Sequence, residues 1–228
     1  VTVADHAADA IIAEGLARLL PGIPVLSEER TDAFRPDGSG TFVLVDPLDG
    51  TREYVAGNDD FTVNIAIVVD ARPVTGIVYA PATGRLWTGG SLATASRVAP
   101  GETVRMEASA RRIGVRERTQ QLTAMASRSH RDAETDACLA RLPIAQLRSA
   151  GSSLKFCLVA EGEADIYPRF GPTMEWDTAA GHAILVAAGG VVVTPECRPF
   201  LYGKADRQYR NGAFIAAANL ALAQRACV

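Results

Sequence analysis

The chain of 228 residues carries 48% apolar and 21% charged side chains, with 23 basic groups against 26 acidic ones and a net charge of −3. That balance excludes a disordered chain, a coiled rod and a disulfide miniprotein, and by length it allows about 1.5 domains, so one large or two small compact units. No run of like charge would draw nucleic acid or anionic lipid by its field, so a bound polyanion needs a local site or a metal.

The first twenty residues place Ala8, Ile11, Ile12, Leu16, Leu19 and Leu20 at helical spacing, and Pro21-Gly22 ends the run, which predicts an amphipathic helix. The opening Val1-Thr2-Val3-Ala4-Asp5 has neither an initiator Met nor a signal peptide, so a preceding segment is expected upstream. Pro24 to Ser27 and Thr41 to Val45 are short β-rich runs that end in acids, Glu28-Glu29 and Asp46. Phe61 to Val69 and Val74 to Tyr79 read as strands about a turn at Asp70 to Pro73, and Arg85-Leu86-Trp87 begins another. The first half is thus a helix followed by mostly antiparallel sheet.

From Leu122 the pattern alternates: strand Leu122 to Ala126, helix Asp132 to Leu142, strand Ile144 to Leu147, helix Ser152 to Glu161, strand Ala164 to Tyr167, helix Glu175 to Ala188 and strand Val191 to Val193. The Arg/Gly/Pro-rich stretch Ser91 to Arg118 is the expected boundary between subdomains 1–110 and 111–228 of a single 1–228 domain. The longest apolar stretch, Ala179 to Val193, is broken by His182 and Gly189-Gly190 and falls short of the roughly 18 residues of a membrane span. Cys138, Cys157, Cys197 and Cys227 lack any C-x-x-C spacing and are expected to be reduced thiols of a cytoplasmic protein.

Asp46-Pro47-Leu48-Asp49-Gly50-Thr51 follows a hydrophobic strand, and a tight Pro/Gly turn there can aim two carboxylates three residues apart into one space. Like charges this close need cations, and Mg²⁺ suits them because it takes hard oxygen ligands and leaves positions for water and phosphate. Gly50-Thr51 offer free N–H groups and a hydroxyl at the start of a predicted helix, which can cradle a phosphate. The same pattern also describes a turn whose aspartates cap the backbone, and Asp177 at a helix start can equally be a cap. An EF-hand loop is excluded by Pro47 and Gly50, and a D-x-D-G-T phosphatase loop has its aspartates two apart rather than three.

These blocks resemble a known family. Leu26-Ser27-Glu28-Glu29, Asp46-Pro47-Leu48-Asp49-Gly50-Thr51-Arg52-Glu53, Phe61-Thr62-Val63-Asn64-Ile65-Ala66 and Trp176-Asp177-Thr178-Ala179-Ala180-Gly181-His182-Ala183 are similar to the signature blocks of the inositol monophosphatase superfamily. Gly151 to Gly162 and Tyr167 to Thr173 resemble its bacterial bisphosphate nucleotidase branch. The resemblance implies an α/β layered αβαβα sandwich and two or three Mg²⁺ per active site. It further implies that Glu28, Asp46 and the Leu48 carbonyl hold one Mg²⁺, that Asp46, Asp49 and Asp177 hold a second, and that Asp5 and Thr51, with Glu28, act on the attacking water. The implied activity is hydrolysis of the 3'-phosphate of adenosine 3',5'-bisphosphate, with an inositol-phosphate or sugar-phosphate phosphatase as the alternative. A non-catalytic nucleotide- or metal-binding regulator would need an incomplete set of acids, and all five are present. The implied setting is cytoplasmic, with peripheral contact to the inner membrane and the choice of monomer or homodimer left open.

Only Lys155 and Lys204 are lysines, against 21 arginines. Lys155, three residues after Ser152, would share its helical face and can meet a phosphate as a compact charge. By resemblance Ser152, Lys155, His130 and Arg169 line the nucleotide side of the pocket, and Glu28, Leu48, Asp49, Gly50, Thr51 and Asp177 the metal side. Ser152 also reads as a helix cap, His130 as a loop imidazole, Trp176 and His182 as core residues, and Asp59-Asp60 as a solvated turn.

Overall fold

The computed structural model describes residues 2–31, 35–103, 110–117, 120–127 and 132–227. Helix α1 (Val3–Leu19) starts at Thr2, whose hydroxyl accepts the Ala4 N–H while Asp5 accepts the Thr2 amide. The first sheet runs β1 (Val25–Ser27), β2 (Thr41–Asp49), β3 (Thr62–Val69), β4 (Arg72–Ala80), β5 (Arg85–Gly89), β6 (Thr94–Arg97) and β7 (Arg111–Arg112), neighbours in that order. Only β1 pairs parallel; the rest are antiparallel hairpin neighbours, as the short turns require. The Ser91 to Arg118 stretch therefore contributes the last two strands of this sheet, with β7 at its edge.

Period-two alternation sorts the sheet's faces. Val43, Val45, Ile65 and Ile67 pack with Leu16 of α1, whereas Phe42, Leu44, Ala66 and Val68 turn to the molecule's main core. On that inner side lies α5 (Glu175–Ala187), preceded by α3 (Ala133–Ala140) and α4 (Leu154–Ala160), with the one-turn α2 (Thr51–Val55) beside β2. The second sheet has the order β12 (Val191–Val193), β14 (Phe214–Ala217), β10 (Ile166–Arg169), β8 (Leu122–Ser127), β9 (Ile144–Ala150). Its parallel β8–β9 and β8–β10 pairs are the product of the βαβ alternation read in the sequence. β11 (Thr173–Met174) and β13 (Arg210–Asn211) form a small ribbon, and α3 and α6 (Leu220–Ala226) cover the outer face. The layers are thus α1, first sheet, α4 with α5, second sheet, α3 with α6, the expected αβαβα sandwich.

Helix α5 sits closer to the first sheet than side chains allow. A Cβ on Gly76 would lie 2.3 Å from the Ala180 carbonyl oxygen, and one on Gly89 would lie 2.5 Å from the Ile184 Cα. Behind it Phe156, Tyr167 and Phe214 form an aromatic cluster with ring centroids 5.3 Å apart.

Two expectations need correction here. Cys197 and Cys227 form a disulfide, Cα atoms 6.0 Å apart, because the loop after β12 and the end of α6 meet on the outer layer; Cys138 and Cys157 are buried free thiols. Spacing along the chain could not show that meeting, and thiol count gives no reading of compartment. The helix expected from Ser152 begins at Leu154, since Ser152 has φ +43° and stands outside it. No described helix is long and apolar enough to cross a membrane.

Candidate active site

The acidic block is a bulged strand rather than a turn. Asp46 pairs with Asn64 and Asp49 with Thr62, so three residues of advance on β2 oppose two on β3. In a regular strand residues three apart point to opposite faces; the extra residue returns Asp49 to the face of Asp46, where Phe42 and Leu44 also point. Pro47, with no N–H to give a ladder, suits such a break. Gly50 follows at φ +92°, and a Cβ there would lie 2.9 Å from the Asp60 carbonyl oxygen.

Four carboxylates converge. Asp46, fully buried, is pushed well above the usual carboxylate range by burial and then by Asp49, Asp177 and Glu28, although Oδ1 accepts the Leu48 N–H at 3.0 Å. Asp177 rises to about 8, chiefly through burial and then Asp49; its Oδ2 accepts the Met174 N–H at 2.8 Å, so it is cap and site acid at once. Asp49 is raised by burial and restrained by Lys155; its Oδ2 accepts from Asn64 Nδ2 at 3.4 Å and lies 3.2 Å from Ser153 Oγ, whose nearer acceptor is the Asp177 carbonyl at 2.6 Å. Glu28 is raised by partial burial, then by Asp49 and Glu29. Beside them, burial of Asp5 is outweighed by Thr2, whose hydroxyl and amide each donate to Oδ2 at 2.6 Å, and its carboxyl stays below the usual range. Thr51 Oγ1 lies 3.3 Å from Asp5 Oδ1 and 3.2 Å from the Leu48 carbonyl oxygen.

Among the described residues no three Asp, Glu, His or Cys side chains close into a finished ligand shell. The donor set nonetheless fits a hard divalent cation: Glu28, Asp46, Asp49, Asp177 and the Leu48 carbonyl offer oxygen alone, and their mutual repulsion is what such an ion relieves.

A cavity of about 620 Å³ opens in front of these acids. Asp49, Gly50, Thr51 and Asp177 line it, as do Ser152, Lys155 and Arg169; Asp5, Glu28, Asp46 and Leu48 stand outside the lining. Lys155 is buried and donates to the Ala150 and Ser152 carbonyls, 3.1 and 2.5 Å away; burial lowers its pKa to about 8, against the pull of Asp49. Arg169 is buried, donating through Nε to the Gly171 carbonyl and through Nη2 to that of Pro172. His130 lies outside the described residues. His182 is a core residue whose Nδ1 is 3.1 Å from the Tyr202 hydroxyl, and Trp176 is buried in the core.

Several contributors escaped sequence reasoning. Asp60, read as part of a solvated turn, accepts the Gly151 N–H at 2.9 Å and fixes the loop before α4. Thr62 and Asn64 looked like ordinary strand positions, yet register sets them opposite the two aspartates. Glu175, fully buried, accepts the Gly203 and Lys204 N–H groups and pairs with the Lys204 ammonium at 2.7 Å, anchoring the start of α5. Clamping the turn after β1 to α1, Arg30 and Ser27 both donate to Asp9 at 2.6 Å.

Residues 1–227 match the inositol monophosphatase family. The 3'(2'),5'-bisphosphate nucleotidase CysQ of Salmonella typhimurium is 50% identical over 194 residues, 84% of this chain and 75% of that protein. The protein of the same name from Escherichia coli K12 is 45% identical over 204 residues, 89% of this chain and 79% of its own. The crystal structure of CysQ from Bacteroides thetaiotaomicron superposes with a TM-score of 0.79 at 40% identity, covering 95% of this chain and 83% of that one. The inositol monophosphatase of Anabaena gives 0.79 at 25% identity, over 99% and 85%. The chain belongs to the inositol monophosphatase family.

Proposed function

We propose that this chain hydrolyses the 3'-phosphate of adenosine 3',5'-bisphosphate to AMP and phosphate, using Mg²⁺ held by Glu28, Asp46, Asp49, Asp177 and the Leu48 carbonyl. One observation carries the reading: a single cavity is lined both by the acids Asp49 and Asp177 and by the buried cations Lys155 and Arg169. A substrate with two separate phosphates can meet both kinds of group in that lining. The names of the nucleotidase relatives support the same choice.

When bound, Mg²⁺ neutralises the carboxylates, activates water and stabilises the leaving oxygen. The chain's own groups supply the rest. Asp5, held ionised by Thr2, can take a proton through the Thr51 hydroxyl, which lies within reach of it. The water oxygen adds to phosphorus, the bond from phosphorus to the 3'-oxygen breaks, and that oxygen takes up a proton. No covalent phosphoenzyme forms, so label from ¹⁸O-water enters phosphate and no Asp side chain. Subdomains 1–110 and 111–228 serve as parts of one phosphatase domain acting in the cytoplasm, with β7 at the start of the second completing the first sheet.

The test is phosphate release from adenosine 3',5'-bisphosphate, inositol 1-phosphate and fructose 1,6-bisphosphate side by side with Mg²⁺. Preference for the first is expected. Faster turnover of either of the others moves the chain to the alternative, an inositol-phosphate or sugar-phosphate phosphatase.

A further inference from the structure

Hydroxyl protons can be counted along one chain of contacts. Asp49 Oδ2 accepts from Asn64 Nδ2 at 3.4 Å, which orients the amide, because its oxygen would be repelled by a carboxylate. Asn64 Oδ1 therefore faces Thr62, whose Oγ1 donates to it at 3.0 Å. Thr62 has one hydroxyl proton and has now used it. The 3.0 Å contact between Thr62 Oγ1 and Ser152 Oγ must then be a donation from Ser152 to Thr62. The proton of Ser152 is committed as well, and what its oxygen can show the cavity is lone pairs.

We propose that Thr62 and Asn64 are positioning residues that fix the polarity of Ser152, so that Ser152 recognises a hydrogen-bond donor on the nucleoside, a ribose hydroxyl or an exocyclic amine, and not a phosphate oxygen. The inference rests on the nucleotide reading above and deepens it. Register supports it independently: Thr62 and Asn64 are the direct cross-strand partners of Asp49 and Asp46, both are buried, and both point into the site. Ser152 is also held from its backbone side. Its φ of +43° is one that non-glycine residues rarely adopt, and the Lys155 ammonium binds its carbonyl at 2.5 Å. Lys155 and Arg169 remain as the groups for a phosphate; Ser152 addresses a different part of the same ligand.

The experiment is calorimetric binding, with Mg²⁺ present, of AMP, 2'-deoxy-AMP and purine riboside 5'-monophosphate, which separates the ribose hydroxyl from the base amine. Wild-type protein should bind one of the two analogues about 2- to 13-fold more weakly than AMP, the effect of one neutral hydrogen bond. That gap should close in Ser152→Gly, which suits the backbone and lacks the hydroxyl. It should narrow in Thr62→Val, where Ser152 is no longer held to one polarity and can also turn its proton into the cavity, and be restored in Thr62→Ser. A wild type that binds all three ligands equally overturns the proposal, as does a gap that survives in Ser152→Gly or stands at its full size in Thr62→Val. Failure of the wild type to bind AMP at all overturns the nucleotide reading itself, and this assignment with it.

Discussion

Gly76→Ala tests how α5 is held, because the added methyl meets only backbone. Its Cβ would lie 2.3 Å from the Ala180 carbonyl oxygen, 2.9 Å from the carbonyl carbon and 3.0 Å from Cα. Ordinary contact begins at 3.4 Å, so the helix or the strand must retreat by about 1.1 Å. Overpacking of this kind costs about 1–3 kcal/mol, and a rigid obstacle puts Gly76 at the upper end, a fall in Tm of about 4–12 °C for a chain of this size. The retreat also carries Asp177, three residues before Ala180, away from Asp46 and Asp49, and a misplacement near 1 Å costs on the order of 10²-fold in rate. Gly90→Ala is the control, since the nearest atom to its Cβ is Thr75 Oγ1 at 3.9 Å. Thermal unfolding and kcat/KM on adenosine 3',5'-bisphosphate, measured for both variants, give the comparison. A Gly76→Ala protein with the Tm and kcat/KM of Gly90→Ala would show that the glycine contact does not set the position of α5.

Asp177 has its pKa raised to about 8 in the folded chain against about 3.9 unfolded, so in metal-free protein its ionisation removes stability as pH climbs between those values. Asp177→Asn, measured in EDTA, should therefore gain Tm relative to wild type progressively from about pH 4 to about pH 8; a difference independent of pH would refute the assignment. Thr51→Ala should lower kcat by on the order of 10²–10⁴ while Mg²⁺ affinity stays unchanged, and a variant within tenfold of wild type would remove Thr51 from proton transfer. Replacing Cys197 and Cys227 together by Ser opens a closure spanning 30 residues and should cost about 3–4 kcal/mol by chain entropy. Its kcat should be unchanged, because the bridge lies on the outer layer; a proportional loss of kcat would tie the bridge to the site.

Sequence pattern carried the chain a long way where physics is local. The 3.6-residue spacing of Ile12 and Leu16 placed α1, and the βαβ alternation after Leu122 gave a parallel pairing. The acids stood out because two carboxylates close an apolar strand, but the same pattern also fits a turn that caps the backbone, and their reading as a metal site came from the family resemblance. What failed depended on partners distant in sequence. Pro47 and Gly50 read as a turn because they resemble one, but β3 supplies Asn64 and Thr62 as pairing partners and the strand continues. Ser152 looked helical by proximity to Leu154, yet its contact with Thr62, 90 residues away, accompanies a left-handed backbone. Lys155 was expected to meet a phosphate; what the structure shows is its ammonium donating to the Ala150 and Ser152 carbonyls just before its helix.

The bulge in β2 gives the spacing of its two aspartates a meaning of its own. Aspartates two apart in an unbroken strand would also share a face and could meet the same partners, Asn64 and Thr62. The three-residue spacing differs from that arrangement by one residue, and both backbone groups of Leu48 are used: its amide binds Asp46, and its carbonyl lies 3.2 Å from the Thr51 hydroxyl. The length of the gap is therefore a message about main chain, carried by no side chain at all. A search that matched acids while tolerating a shorter gap would gather proteins with the same carboxylates and a chemically different floor beneath them.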